Sequence, residues 1–204
     1  MISVKEAKFI KSSRGIDDAL PSTASEVVFL GRSNVGKSSL INMIASRQGL
    51  AKSSATPGKT RLINFFEIVL HDEKGDYPLR LVDLPGFGYA KVSHSMKDEW
   101  QEELTRFLAH RRSIRIYFHL IDSRHPELEI DREVGEFIAQ MKTPDQKIIP
   151  ILTKVDKLGQ SEKAKLKKLY PTALMVSSAK TLGAQEVRKM ILESVFAGVI
   201  EGDA

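Results

Sequence analysis

The chain contains no cysteine in its 204 residues. That excludes disulfides, thiolate metal sites and a cysteine nucleophile. The five histidines are scattered and show no metal-ligand spacing. Aromatic residues make up 7%, with a single tryptophan. No apolar run reaches the roughly 20 residues needed to cross a bilayer. The first ten residues hold no apolar core followed by a cleavage site, so no signal peptide is expected. A cytoplasmic, monomeric protein without membrane contact is the simplest expectation. Repeats, low-complexity tracts and a second domain are not visible either. What is present is an ordinary globular composition, 42% hydrophobic and 28% charged, long enough to bury a sizeable core. Lys and Arg number 31 against 26 Asp and Glu, a net charge of +5. That suits a nucleic-acid or other polyanionic partner, but many soluble proteins carry such a charge without one.

The most informative stretch is Gly31-Arg32-Ser33-Asn34-Val35-Gly36-Lys37-Ser38, which fits G-x-x-x-x-G-K-[ST]. An apolar run, Val27-Val28-Phe29-Leu30, leads into it and a helical pattern beginning Ser39-Leu40-Ile41 leads out. Each residue type has a reason. Gly31 and Gly36 let the backbone turn its N–H groups inward with no Cβ in the way. The helix that follows presents its positive N-terminal end. Lys37 sets an ammonium between β- and γ-phosphate oxygens. The Ser38 hydroxyl is a hard ligand for Mg²⁺.

Strands and helices alternate from there, after a lead in which Phe9 and Ile10 either join a sheet edge or cover a core. Strands are expected at 27–31, 62–70, 79–83, 116–121, 147–152 and 173–176, with 71–78 a hairpin connection. Helices are expected from the phosphate loop to about 46, through Trp100, Leu104, Phe107 and Leu108, over 128–141 and 161–169, and through Val187, Met190, Ile191 and Val195. Lys163, Lys165, Lys167 and Lys168 read as a solvated face. The pattern predicts an α/β fold: a mostly parallel six-stranded sheet with one antiparallel strand and helices on both faces. The polar motifs all follow strand ends, on the rim where open α/β sheets bind ligands.

Asp83-Leu84-Pro85-Gly86 follows one such strand. A carboxylate there can hold a water on Mg²⁺, and the Gly86 N–H can reach a γ-phosphate oxygen. Thr153-Lys154-Val155-Asp156 follows another. Guanine offers two adjacent donors, N1–H and the 2-amino group, and the Asp156 carboxylate can accept both. Adenine has an acceptor where N1–H would be. Lys154 can lay its stem over the base, and the small residues Ser177-Ser178-Ala179 can bring backbone N–H to the guanine O6.

Together these segments resemble a translation-factor-type (TRAFAC-class) P-loop GTPase with a Ras-like domain. More closely the chain is similar to the EngB (YsxC) family of bacterial ribosome-biogenesis GTP-binding proteins. Thr56-Pro57-Gly58-Lys59-Thr60, Asp83-Leu84-Pro85-Gly86-Phe87-Gly88-Tyr89-Ala90 and Asp122-Ser123-Arg124-His125-Pro126 carry that closer likeness. The resemblance implies a GTPase domain over 25–204, with 1–24 an extension packed on it. It implies GTP or GDP contacts from Gly31, Arg32, Ser33, Asn34, Val35, Gly36, Lys37, Ser38 and Ser39. Further contacts would come from Gly58, Lys59, Thr60, Arg61 and Leu62, from Asp83, Leu84, Pro85 and Gly86, from Thr153, Lys154, Val155 and Asp156, and from Val176, Ser177, Ser178 and Ala179. Mg²⁺ would sit on Ser38, Thr60 and Asp83, with Lys37, Thr60, Gly86 and Asn34 acting in catalysis. The implied role is assembly of the large ribosomal subunit, on ribosomal RNA and protein, with a link to growth and cell division (septation).

Two departures from the wider GTPase pattern stand out. Thr153 is shorter than the usual Asn, which predicts micromolar GTP affinity. Phe87 stands where Ras-type enzymes place a water-orienting Gln, which predicts slow intrinsic hydrolysis. Asn34 is a candidate K⁺ ligand that would supply the missing charge, with plain loop capping as its alternative. Candidate RNA contacts are Lys52, Lys59, Arg61, Lys91, Arg111, Arg112 and Arg115, although a solvated helix end is the favoured reading of the last three. The other functional reading is a regulatory GTPase switch with a protein effector and no RNA contact.

Overall fold

A computed structural model describes residues 1–52, 62–87 and 94–196, with backbone alone for 94–100. Thr56, Gly58, Lys59, Thr60, Arg61, Gly88, Tyr89, Ala90, Lys91 and the Trp100 side chain lie outside the described residues. Among the described residues seven strands form one sheet in the order β1-β3-β4-β2-β5-β6-β7. They are β1 (Ser3–Ser13), β2 (Glu26–Gly31), β3 (Ile63–Asp72), β4 (Gly75–Asp83), β5 (Ile114–Asp122), β6 (Lys147–Thr153) and β7 (Leu174–Met175). β3 runs antiparallel to both its neighbours, and the pairings on the other side of β4 are parallel.

Among the described residues five α-helices complete the fold: α1 (Lys37–Ile44), α2 (His94–His110), α3 (Glu129–Met141), α4 (Gln160–Leu169) and α5 (Ala184–Val195). β2 is buried along its whole length, so its alternate side chains feed two cores. Val27 and Phe29 pack with Leu40 and Ile41 of α1 and with Val187 and Ile191 of α5. Val28 and Leu30 pack with Leu104 and Phe107 of α2 and with Val134 and Ile138 of α3. Helices thus cover both faces, as the alternating pattern requires. No helix among the described residues is long and apolar enough to cross a membrane.

The seventh strand is β1, one more than the sequence pattern predicts. It pairs with β3 through two register shifts, and the Phe9 ring meets Phe66 edge-on at 5.7 Å. The residue just before it is tied to α5, where the Gln185 side chain bonds both the N–H and the carbonyl of Ile2. Arg188 of α5 reaches the Ile2 carbonyl, the Ile44 and Met43 carbonyls and the Ser46 hydroxyl. A cation there satisfies the open carbonyls at the end of α1 and complements its dipole.

Arg111 is neither a solvated residue nor an RNA contact. It is 3% exposed, and its guanidinium bonds both oxygens of the fully buried Glu26, at 2.8 and 2.6 Å. Ser113 adds a third bond to Glu26, and the Leu20 carbonyl accepts from Arg111. The guanidinium also lies 5.3 Å from the centroids of Phe65 and Phe107. Two charges taken out of water stay buried because each satisfies the other. Arg115 is paired with Asp145, and Arg112 is exposed. Replacing Arg111 with Ala leaves the buried Glu26 with only the Ser113 hydroxyl and the Arg80 guanidinium, which stands 3.9 Å away. Unfolding free energy in urea is expected to fall by about 3–5 kcal/mol, and a loss under about 1 kcal/mol would contradict this picture.

Candidate functional site

β2 ends against β5, with Gly31 opposite Leu120. Gly31 has φ +153°, and a Cβ there would lie 2.7 Å from the Leu120 carbonyl oxygen. Gly36 has φ +110° and leads directly into α1, so Lys37 and Ser38 open the helix. Between the glycines the side chains divide. Val35 points into the core, and Ser33 and Asn34 line the cavity, with Asn34 in a left-handed conformation (φ 60°) that Asn tolerates. Ser38 and Ser39 line the same cavity, Ser39 from an exposed position.

The cavity has a volume of about 240 Å³ and gathers Lys37, Ser38, Asp83, Leu84, Pro85, Gly86 and Lys154 in its walls. Asp83 ends β4, where burial pushes its carboxyl up to about 6 against the opposing pull of Lys37. Burial lowers the Lys37 ammonium, opposed in turn by Asp83. One Asp83 oxygen, Oδ1, is buried with no hydrogen-bond partner among the described residues. An orphaned carboxylate oxygen and a serine hydroxyl in one cavity are hard donors that suit Mg²⁺. Gly86 packs so closely that a Cβ would lie 3.0 Å from the Ser33 nitrogen and 3.3 Å from the Lys37 ammonium. Phe87 zips onto the phosphate loop. Its N–H donates to Gly31 and its carbonyl accepts from Ser33, both at 3.1 Å. Its ring lies against Phe137 of α3 at 6.4 Å.

The second half of the site follows β6. The Thr153 hydroxyl donates to the Val35 carbonyl at 2.8 Å, so the short side chain does reach the phosphate loop. Lys154 is left-handed (φ 59°) and donates to the Asn34 carbonyl at 2.8 Å. Val155 and Val176 are buried and support the loop, the Val155 N–H meeting the Val176 carbonyl. The Ser177 hydroxyl donates to Asp156 at 2.6 Å and holds that carboxyl below its ordinary range. The Ser177 N–H is taken by the Leu182 carbonyl. Ser177 therefore acts as the orienter of Asp156, and Ser178 and Ala179 stand at the rim.

Among the RNA candidates, Lys52 lines this cavity. Leu62 and Asn64 line it too, and Asn64 is a residue the motifs do not reveal. Asp122 was visible only as part of a motif without a role. It is fully buried at the end of β5. Burial works against its charge, but hydrogen bonds from Arg124 and Lys154 outweigh that and hold its carboxyl well below the usual range.

A family model described as a 50S ribosome-binding GTPase matches residues 26–154. A probable GTP-binding protein EngB from Aliarcobacter butzleri is 49% identical over 96% of this chain and 99% of its own length. One from Campylobacter jejuni is 50% identical over 93% and 96%. The chain belongs to the EngB family of GTP-binding proteins. Its fold agrees with that of a crystal structure of a probable EngB, at TM-score 0.60 and 22% identity over 84% of this chain and 98% of that one. Era, solved with MgGDPNP and a 16S ribosomal RNA fragment, matches at TM-score 0.59 and 21% identity over 84% of this chain and 56% of Era. The GTPase fold of the EngB family is therefore the frame in which these loops sit.

The raised Asp83 carboxyl has a signed consequence. The folded protein holds this proton up to about pH 6, whereas the unfolded chain releases it near the ordinary aspartate value of 3.8. Stability of the nucleotide-free protein is therefore lost as pH rises through this window. Urea unfolding of the parent and of Asp83→Asn at pH 4, 5 and 6 is expected to show the parent losing stability relative to the variant as pH rises. Parallel pH profiles would contradict the burial of this charge.

Proposed function

We propose that this protein is a slow GTP-hydrolysing switch that binds Mg²⁺·GTP and acts in assembly of the large ribosomal subunit. The observation that carries the reading is the pairing of two sites on one rim. The Lys37 cavity accepts the phosphates, and Asp156, held ionised by Ser177, accepts both guanine donors. Ser38 and Asp83 would hold Mg²⁺, joined by Thr60, and the ion would neutralise charge on the β- and γ-phosphates. Lys37 and the Gly86 N–H would meet the transferring γ-phosphoryl group. Slow turnover follows from Phe87, whose ring packs on Phe137 and offers nothing to orient a water. Asn34 is our candidate for a K⁺ ligand that offsets this deficit.

The ribosomal role is supported by the description of the matching family model and agrees with the net charge of +5. Phosphate release is expected to be slow alone, faster with large ribosomal subunits, and faster in KCl than in NaCl. Binding to the subunit should require GTP and weaken with salt. No response to subunits would favour a switch with a protein effector, and equal rates in the two salts would remove the K⁺ role. Asp156→Asn should lower GTP affinity by a factor on the order of 100 or more while gaining xanthosine triphosphate. Unchanged GTP affinity in that variant would overturn the guanine assignment.

A further inference from the structure

β5 lies between β2, which carries the phosphate loop, and β6, which carries the base-reading loop. Its last residue, Asp122, pairs with Thr153 and is placed to reach both loops. We propose that Asp122 is a positioning residue for nucleotide binding, one carboxylate that sets the base end and the phosphate end of the site as a single body.

The geometry is specific. Asp122 Oδ2 accepts from the Lys154 ammonium at 2.8 Å, and the same ammonium bonds the Asn34 carbonyl. Arg32, the second residue of the phosphate loop, brings its Nη2 to 3.3 Å from the same Oδ2. Arg124 closes the far side with Nε to Oδ1 at 2.9 Å and Nη2 to Oδ2 at 2.7 Å. Its backbone N–H also donates to Oδ1. Asp131 of α3 lies 3.7 Å from the Arg32 Nε and steadies the other edge of that guanidinium.

Lys154 is the residue that most needs such a hold. A lysine in the left-handed region is strained, and its long side chain loses much freedom when fixed over a site. The two anchors, one from Asp122 and one from Asn34, settle that conformation in the protein before any ligand arrives. Asp122 touches neither base nor phosphate in this scheme, so it acts through Lys154 and Arg32. Its effect should be the same for GTP and GDP, which share the base and the inner phosphates. This rests on the guanine-nucleotide reading above.

The test is a double-mutant cycle read by equilibrium titration with GTP and GDP. Asp122→Asn is expected to weaken both nucleotides equally, by about tenfold or more. In a Lys154→Met background the same change should cost much less, because its main route of action is gone. A purely structural Asp122 would give losses that simply add. If Asp122→Asn does not fold, Arg124→Gln gives the same reading through an exposed partner. It should weaken both nucleotides about threefold, with the effect shrinking in the Lys154→Met background. Parent affinity in the single variants, or additive losses in the doubles, overturns the proposal. Failure of the parent to bind GTP at all would instead sink the nucleotide reading itself.

Discussion

A loop that must offer N–H groups to an anion is best held through its carbonyls. That constraint shapes this site. Two hydrogen bonds, from the Thr153 hydroxyl to Val35 and from the Lys154 ammonium to Asn34, grip the phosphate loop from outside. Both donors belong to the base-reading loop, so each half of the nucleotide site is built partly from the other. Both bonds are 2.8 Å long; the Thr153 bond is buried, where its electrostatic strength is greater than on an open surface, and the Lys154 bond lies on the exposed side.

The rest of the fold makes those bonds possible. β2 and β6 flank β5, and the cores on either face fix the three strands by ordinary apolar packing. The opposite end of β2 is pinned by the Glu26–Arg111 pair, which joins α2 to the sheet. Arg188 pins the far end of α1. The phosphate loop is thus the bend between a strand and a helix whose distant ends are both fixed by a buried cation.

Much of this was legible from residue types. The strand, loop and helix around Lys37 follow from two glycines and an apolar run, and Asp156 stands where its motif puts it. Other features depended on contacts that no local pattern carries. β1 is polar along much of its length and shifted twice in register, so its alternation is broken. Gly75 and Pro78 suggested a connection, yet β4 already begins at Gly75. Pro78 is tolerated because the β2 pairing of β4 starts only at Arg80. Arg111 sits in a basic run that looks solvated, and its partner Glu26 is distant in sequence. The roles of Ser177 and Asp122 are likewise tertiary facts, each set by a side chain on a different strand or loop.

The central claim is that the phosphate loop holds its shape in the empty protein. Backbone ¹⁵N relaxation of nucleotide-free protein tests it directly. The account predicts order parameters for residues 31–38 near the rigid value of about 0.85, close to those of β2. Values below about 0.6 that rise only on adding GTP would contradict it.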